Sequence, residues 1–185
     1  MSTLTILQEG SPVLRARSSE IEVSEITASA TQSLIKNMVR TLAAEKLGAA
    51  LAAPQIGENV RLFVVAPEVL EKKDGTSETK PLVCINPEIT KRSKVTESLH
   101  EGCLSVRGWW GYVPRSEKVT MRAYDENGKE FERGASGLLA QIFQHEIDHL
   151  NGTLYIDTAE DMHTDEELKV REEAGKHAKI KHPNS

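Results

Sequence analysis

The feature that most constrains the fold is a segment near the C-terminus that is apolar around more than half of a helix. The spacing predicts a helix from about residue 136 to 150, ended by the left-handed stop Asn151-Gly152. Its apolar residues are Leu138, Leu139, Ile142, Phe143, Ile147 and Leu150. A helix of this kind lies deep inside a domain, so the rest of the chain is expected to pack around it.

The same segment contains two histidines in Gln144-His145-Glu146-Ile147-Asp148-His149. His145 and His149 are four residues apart, so both imidazoles project from one helix face and can bind one cation. Glu146 is offset by one residue and can reach a metal-bound water without being a ligand. If the helix were exposed, an ordinary helix with two histidines would be the better explanation, but this helix is apolar, and imidazoles on a buried face need partners. The pattern therefore predicts a metal site.

A catalytic metal site usually has three protein ligands, and the third must come from elsewhere in the chain. We favour Cys103 in Glu101-Gly102-Cys103-Leu104-Ser105, because a thiolate offsets part of the cation charge and Gly102 permits close backbone approach. Cys84 is the competing thiol, but it lies in a segment typical of a buried strand. The weaker candidates are His100, Asp157 and Glu160.

The remaining pattern predicts an α+β fold. Antiparallel or mixed sheets are expected to pack around the central buried helix, with an N-terminal and a C-terminal helix besides. Apolar residues at i+4 spacing predict the first of these over 24–44, with Ser24 as its N-cap, and a capping-box pattern predicts the last over 164–179. Strands are predicted at 61–66, 81–86, 118–124 and 129–132. Between the last two, Asn127-Gly128 predicts a turn in which both residues have positive φ.

Length and charge narrow the class of protein. The 185 residues suit one domain, 1–185, in which 164–185 would form a surface helix and tail. A net charge of −5 argues against DNA binding, and no apolar run is long enough to span a membrane. Two cysteines and the lack of a secretory pattern favour a reducing compartment, the cytoplasm. An organellar form with a removed transit peptide fits the sequence as well.

A third segment completes a recognisable set. The segment is Gly48-Ala-Ala-Leu-Ala-Ala-Pro-Gln55, and it precedes the Glu101–Ser105 and Gln144–His149 motifs. With these three segments the chain resembles the peptide deformylase family. The motifs of that family are, in this order, Gly-x-Gly-Leu-Ala-Ala-x-Gln, Glu-Gly-Cys-Leu-Ser and Gln-His-Glu-x-Asp-His. Together the three stretches span about half of the chain. His-Glu-x-x-His alone is shared with many zinc hydrolases, whereas the cysteine motif makes the combination specific.

The resemblance implies a metal-dependent hydrolase that removes the N-formyl group from N-formylmethionyl peptides and releases formate. It assigns the metal to Cys103, His145 and His149, proton transfer to Glu146, and the oxyanion donors to Gln55 and the N–H of Leu104. Fe(II) is the implied metal, with Zn(II), Ni(II) or Co(II) accepted. The resemblance also suggests that the basic tail 176–182 contacts the ribosome. We further expect Glu101 to accept the free N–H of a ligating histidine, as carboxylates often do, and Arg115 to pair with Asp148. The implied substrate-binding residues are Gly48, Ala50, Gly102 and Trp110.

Two positions depart from the family pattern. Ala50 stands where the second glycine lies against the substrate, and Trp110 stands where many relatives have arginine. We expect altered substrate preference or slower turnover, and restoring Gly at Ala50 and Arg at Trp110 should then raise the rate. Two other readings stay open. One is a diverged deformylase-like protein that binds peptide N-termini with little activity, and the other is a zinc peptidase.

Overall fold

The computed structural model describes residues 3–70 and 79–170. Within these ranges the chain forms two long helices and eight strands, joined by short 3-10 turns. The helices are α1 (Ser29–Ala44) and α2 (Gly137–Leu150). The strands are β1 (Ala50–Ala52), β2 (Leu62–Val65), β3 (Leu82–Arg92), β4 (Thr96–Cys103), β5 (Val106–Ser116), β6 (Lys118–Tyr124), β7 (Glu130–Ser136) and β8 (Glu160–Thr164).

A five-stranded antiparallel sheet in the order β1-β2-β3-β6-β7 lies between the two helices. Successive side chains of a strand point to opposite faces, so β2 contributes to two separate cores. Phe63 and Val65 pack in the core that contains α2, and Leu62 and Val64 pack in the core that contains α1. Because both faces are covered, β2 is apolar at every position.

A second sheet positions the cysteine. It has three antiparallel strands in the order β4-β5-β8, and β4 turns into β5 directly after Cys103. The pairing shifts register between Gly102 and Cys103, at the end of the hairpin. The predicted α+β class, with antiparallel sheets around a buried helix, is confirmed.

The prediction for the first helix is wrong at its start. α1 begins at Ser29, because residues 23–25 form a 3-10 turn and Ala28 is extended. The side chains of Thr31 and Gln32 reach back to the carbonyls of Glu25 and Ile26 and hold this preceding turn. Ile26 is fully buried, so it extends the apolar stripe without belonging to the helix.

The β6–β7 hairpin forms where it was predicted, with a different turn. Gly128 has a φ of +77°, whereas Asn127 does not adopt positive φ. The side chain of Asp125 accepts hydrogen bonds from the backbone N–H groups of Asn127 and Lys129. A side-chain-stabilised turn therefore replaces the expected pair of left-handed residues.

Residues 165–170 are helical, and the predicted capping box is present. Thr164 N donates to Glu167 Oε2 at 2.8 Å, and Glu167 N donates to Thr164 Oγ1 at 3.3 Å. The remainder of the predicted helix and the tail, 171–185, lies outside the described residues, as does most of the polar loop 71–80. In the described part of the chain, no helix is both long and apolar enough to cross a membrane.

Candidate metal centre and cleft

Three potential metal ligands converge where the end of β4 meets α2. Cys103, at the end of β4, meets His145 and His149 of α2, with one ligand atom of each within 4.8 Å of the others. Cys103 Sγ lies 3.2 Å from His149 Nε2. Nδ1 of His145 contacts Glu101, so Nε2 is the nitrogen left to bind a metal. One thiolate and two imidazoles suit a borderline divalent cation such as Fe(II) or Zn(II).

The charges in this cluster favour a thiolate. Burial by itself raises the pKa of the Cys103 thiol, but His149 and His145 outweigh burial and hold it well below its usual range. The pKa of His145 is correspondingly raised: burial opposes the shift, and hydrogen bonds to Cys103 and Glu101 outweigh it. A thiolate is the form of cysteine that binds metal ions.

Glu146 lies beside the ligands in a buried position. Its side chain belongs to α2, and the residue is 4% exposed. Burial raises its pKa to about 7, although the two neighbouring imidazoles oppose the shift. Its Oε2 is buried and has no hydrogen-bond partner among residues 3–70 and 79–170. A carboxyl group with these properties can both accept and return a proton near neutral pH.

A buried ion-pair network holds His145 in place. Glu101 Oε2 lies 2.9 Å from His145 Nδ1. Arg115 donates from Nε to Glu101 Oε1 at 2.7 Å and from Nη2 to Glu101 Oε2 at 2.9 Å. Its Nη1 donates to Asp148 Oδ2 at 2.5 Å. The expected contacts of Glu101 with a histidine of the cluster and of Arg115 with Asp148 are both present.

These contacts keep Glu101 ionised. Burial alone would raise the pKa of Glu101, but hydrogen bonds from Arg115 and His145 outweigh it and lower the pKa to about 2. A carboxylate bonded to the outer nitrogen of a metal-binding histidine fixes the orientation of its ring.

Gln55 points its amide group at the cysteine. Its Oε1 accepts a hydrogen bond from Ala52 N at 2.8 Å, which fixes the orientation of the amide. Its Nε2 then lies 3.5 Å from Cys103 Sγ and 3.1 Å from Ser105 Oγ. Leu104 lies in the turn between β4 and β5, and Leu104 and Gln55 both line the adjoining cleft. Gln55 Nε2 thus lies beside the candidate ligands, and Leu104, which follows Cys103 directly in the chain, lines the same cleft.

The cleft beside the cluster has a volume of about 610 Å³. Ala50, Gly102 and Trp110 line it together with Glu146. Gly48 is absent from the lining. A Cβ at Gly48 would instead lie 2.8 Å from Leu42 Cδ1, so this glycine allows close packing against the end of α1.

The other candidate ligands lie elsewhere. Cys84 is fully buried in the sheet core. His100 contacts His163. Asp157 accepts a hydrogen bond from Arg15 at 2.6 Å, and Glu160 is exposed on β8. The described residues bring only Cys103 together with the two histidines in a cluster that could hold a metal.

Sequence reasoning missed several residues around the site. Ser105, fully buried, accepts a hydrogen bond from Gln55, and Tyr155 stacks on His145 with ring centroids 6.1 Å apart. Asp165 accepts a hydrogen bond from the indole of Trp110. Ser105 belongs to the Glu101–Ser105 motif, so the sequence could have indicated it as a site residue. Tyr155 and Asp165 reach the site through tertiary packing, and no local sequence pattern indicates them.

Known proteins resemble this chain over most of its length. The family model described as polypeptide deformylase matches residues 3–165. A peptide deformylase of Thermomicrobium roseum is 43% identical over 181 residues, which cover 94% of this chain and 98% of the relative.

Among solved structures, a peptide deformylase of Synechococcus elongatus in complex with actinonin is 37% identical. It matches with a TM-score of 0.75, over 90% of this chain and 82% of its own. A class I type b peptide deformylase of Acinetobacter baumannii, bound to Met-Ala-Ser, matches with a TM-score of 0.76 and 30% identity, over 85% of this chain and 98% of its own. The chain belongs to the polypeptide deformylase family.

Proposed function

We propose that this protein is a metal-dependent peptide deformylase in which Cys103, His145 and His149 hold the metal and Glu146 transfers the proton. The reaction is hydrolysis of the N-formyl group of an N-formylmethionyl peptide, with release of formate. The observation that carries the proposal is the convergence of one cysteine and two histidines within 4.8 Å, beside a buried carboxyl group and at a cleft.

The metal supplies one part of the chemistry. When bound, a divalent cation lowers the pKa of coordinated water and polarises the formyl carbonyl. We propose Fe(II) as the metal in the cell, with Zn(II), Ni(II) or Co(II) as substitutes. The mixed sulfur and nitrogen ligand set supports a first-row transition metal rather than Mg²⁺ or Ca²⁺, which prefer oxygen ligands.

The residues of the chain supply the rest. Glu146 accepts a proton from the attacking water and returns it to the leaving amine, which its pKa near 7 supports. Gln55 Nε2 and the Leu104 N–H donate hydrogen bonds to the oxygen that becomes negative. Ala50, Gly102 and Trp110 contact the peptide from the cleft wall, whereas Gly48 packs against Leu42 at the end of α1 and does not line the cleft.

One assay tests the proposed function. Protein prepared without oxygen is incubated with a formyl-Met peptide or with its unformylated counterpart, and formate is measured. Formate from the first peptide only supports the proposal. Cleavage of internal peptide bonds would indicate the zinc peptidase. Binding without formate release would indicate the diverged protein, a reading that the Ala50 methyl group at the cleft favours.

Changing Gln55 to Glu should lower kcat by about 10²–10³-fold, the usual effect of losing one oxyanion donor. The new side chain keeps the oxygen that accepts from Ala52 but replaces the amide donor beside Cys103. Steady-state kinetics with the formyl-Met peptide check this result, and the metal content of the purified variant provides the control. A variant with full metal and wild-type kcat would remove Gln55 from the mechanism.

Changing Ala50 to Gly should raise kcat/KM for the formyl-Met peptide. Ala50 is 8% exposed and lines the cleft, so removal of its methyl group gives the peptide more room. Kinetics with a short peptide check this expectation. Unchanged kcat/KM would mean that the alanine is a neutral replacement.

We also propose that residues 1–185 form one domain in the cytoplasm, with 164–185 as a surface helix and tail. The pairing of β8 with β5 supports a single domain, because it joins the segment before residue 165 to the second sheet.

The tail 176–182 is our candidate for ribosome contact, and it lies outside the described residues. Salt-sensitive co-sedimentation with ribosomes, lost on truncation of this tail, tests the contact. We expect no membrane or DNA partner, in line with the net charge of −5.

A further inference from the structure

Trp110 lies flat against β4 and forms part of the cleft wall. A Cβ built on Gly102 would lie 2.6 Å from Trp110 Cζ3, so the indole fits only because position 102 is glycine. On the same strand, His100 stacks on the indole with ring centroids 5.1 Å apart and an interplanar angle of 11°. The orientation of the indole is therefore set by contacts along one face.

His100, which stacks on the indole, is held by a hydrogen bond to His163 of β8. His163 Nδ1 lies 2.7 Å from the carbonyl oxygen of Asp161, so this nitrogen carries the hydrogen and donates it. Nε2 of His163 is then an acceptor, and His100 Nε2 donates to it at 2.9 Å. His163 is fully buried, which gives the pair a rigid base.

The edge of the indole is fixed by a residue from the C-terminal segment. Trp110 Nε1 donates to Asp165 Oδ1 at 2.5 Å. Asp165 directly follows β8, and the reciprocal bonds between Thr164 and Glu167 hold its turn of helix. The carboxylate is thus presented from an ordered backbone, although the residue itself is exposed.

We infer that Asp165 is a positioning residue for the substrate: it holds the Trp110 indole in the orientation that receives an apolar side chain of the peptide in the cleft. This inference rests on the proposed function, because the cleft is taken as the peptide site. It links the start of the C-terminal helix directly to substrate binding. Without the carboxylate, the indole keeps its stacking on His100 but loses the contact that fixes its edge.

The kinetic test compares Asp165→Ala with Asp165→Asn and Glu166→Ala. Asp165→Ala should raise KM about fivefold with kcat unchanged, the size expected for one net hydrogen bond. Asp165→Asn keeps an acceptor oxygen and should restore most of the affinity. Glu166→Ala removes the same charge from the next residue of the helix, which is also exposed, and should leave KM unchanged. Equal KM values in all three variants would overturn the inference.

A spectroscopic test does not depend on catalysis. The chain has two tryptophans, so Trp109→Phe leaves Trp110 as the only one. In that background, Asp165→Ala should shift the emission maximum and increase quenching by acrylamide, whereas Glu166→Ala should change neither. Identical spectra and quenching would show that Asp165 does not hold the indole. Absence of formate release by the wild-type protein would contradict the proposed function, while the quenching result would still decide the role of Asp165.

Discussion

Replacement of Glu146 by Gln is expected to lower kcat for formate release by about 10²–10⁴-fold while the protein keeps its metal. The amide has the shape of the carboxyl group but cannot take a proton from water or deliver one to the leaving amine. Cys103, His145 and His149 are unchanged, so metal binding should persist. The loss should therefore appear in kcat, with a small effect on KM.

This experiment has a matched control in Glu97→Gln, the same chemical change at an exposed position of β4. Metal content is measured for both variants by atomic emission. If the Glu146 variant kept its metal and turned over like the wild-type protein, another group would have to supply the base. If it lost its metal, Glu146 would have a structural role at the ligand cluster instead.

The second large effect is on stability. Changing Arg115 to Leu should lower the free energy of unfolding by about 3–5 kcal/mol, because it leaves the carboxylate of Glu101 buried without its main partner. The side chains of Arg115 and Glu101 are 7% and 2% exposed, so water cannot replace the lost hydrogen bonds. Chemical denaturation at neutral pH measures the difference.

Arg122→Leu is the matched control. Arg122 pairs with Glu88 at 2.8 Å, but both side chains are more than half exposed, and such pairs contribute about 0–1 kcal/mol. If Arg115→Leu proves too unstable to purify, the double variant Glu101→Gln/Arg115→Leu is the alternative, since its buried carboxylate is neutralised. A double variant no more stable than the Arg115 variant alone would contradict the explanation by an unpaired charge.

The same network predicts how stability depends on pH. The pKa of Glu101 falls from 4.5 to about 2 on folding, so the native state favours the ionised form. Its contribution is therefore complete above about pH 4.5 and is lost as the pH falls towards 2, a total of about 3 kcal/mol. Glu101→Gln should lack this part of the acid sensitivity. Parallel acid titrations of the two proteins check it, and identical slopes below pH 4.5 would refute it.

The sequence predicted features that depend on neighbouring residues better than features that depend on tertiary packing. The limits of α2 were predicted to within a residue, because its apolar spacing and the following Gly152, with a φ of +78°, are local signals. The start of α1 was not, because Ile26 shows the same apolar spacing while the extended backbone at Ala28 separates it from the helix. Apolar spacing therefore predicts that a side chain is buried, but it does not determine whether the backbone of that residue is part of the helix.

The candidate site shows the same division. His145, Glu146 and His149 follow from helical spacing alone, and Cys103 follows from its motif. The contact between Trp110 and Asp165 joins residues 55 positions apart, and it depends on β5 pairing with β8. No local pattern contains that information, so this contact emerged only from the fold, although the family resemblance had already indicated Ala50, Gly102 and Trp110 as residues of the cleft.

The contact of Gly102 with the Trp110 ring couples these two positions sterically. With tryptophan at 110, any side chain at 102 collides with the ring, whose nearest carbon would be 2.6 Å from the new Cβ. A smaller residue at 110 would remove the collision. A substitution at 102 is therefore expected to be tolerated better when 110 carries a smaller residue, and a library of single substitutions would miss such combinations. Screens for altered peptide preference should randomise the two codons together.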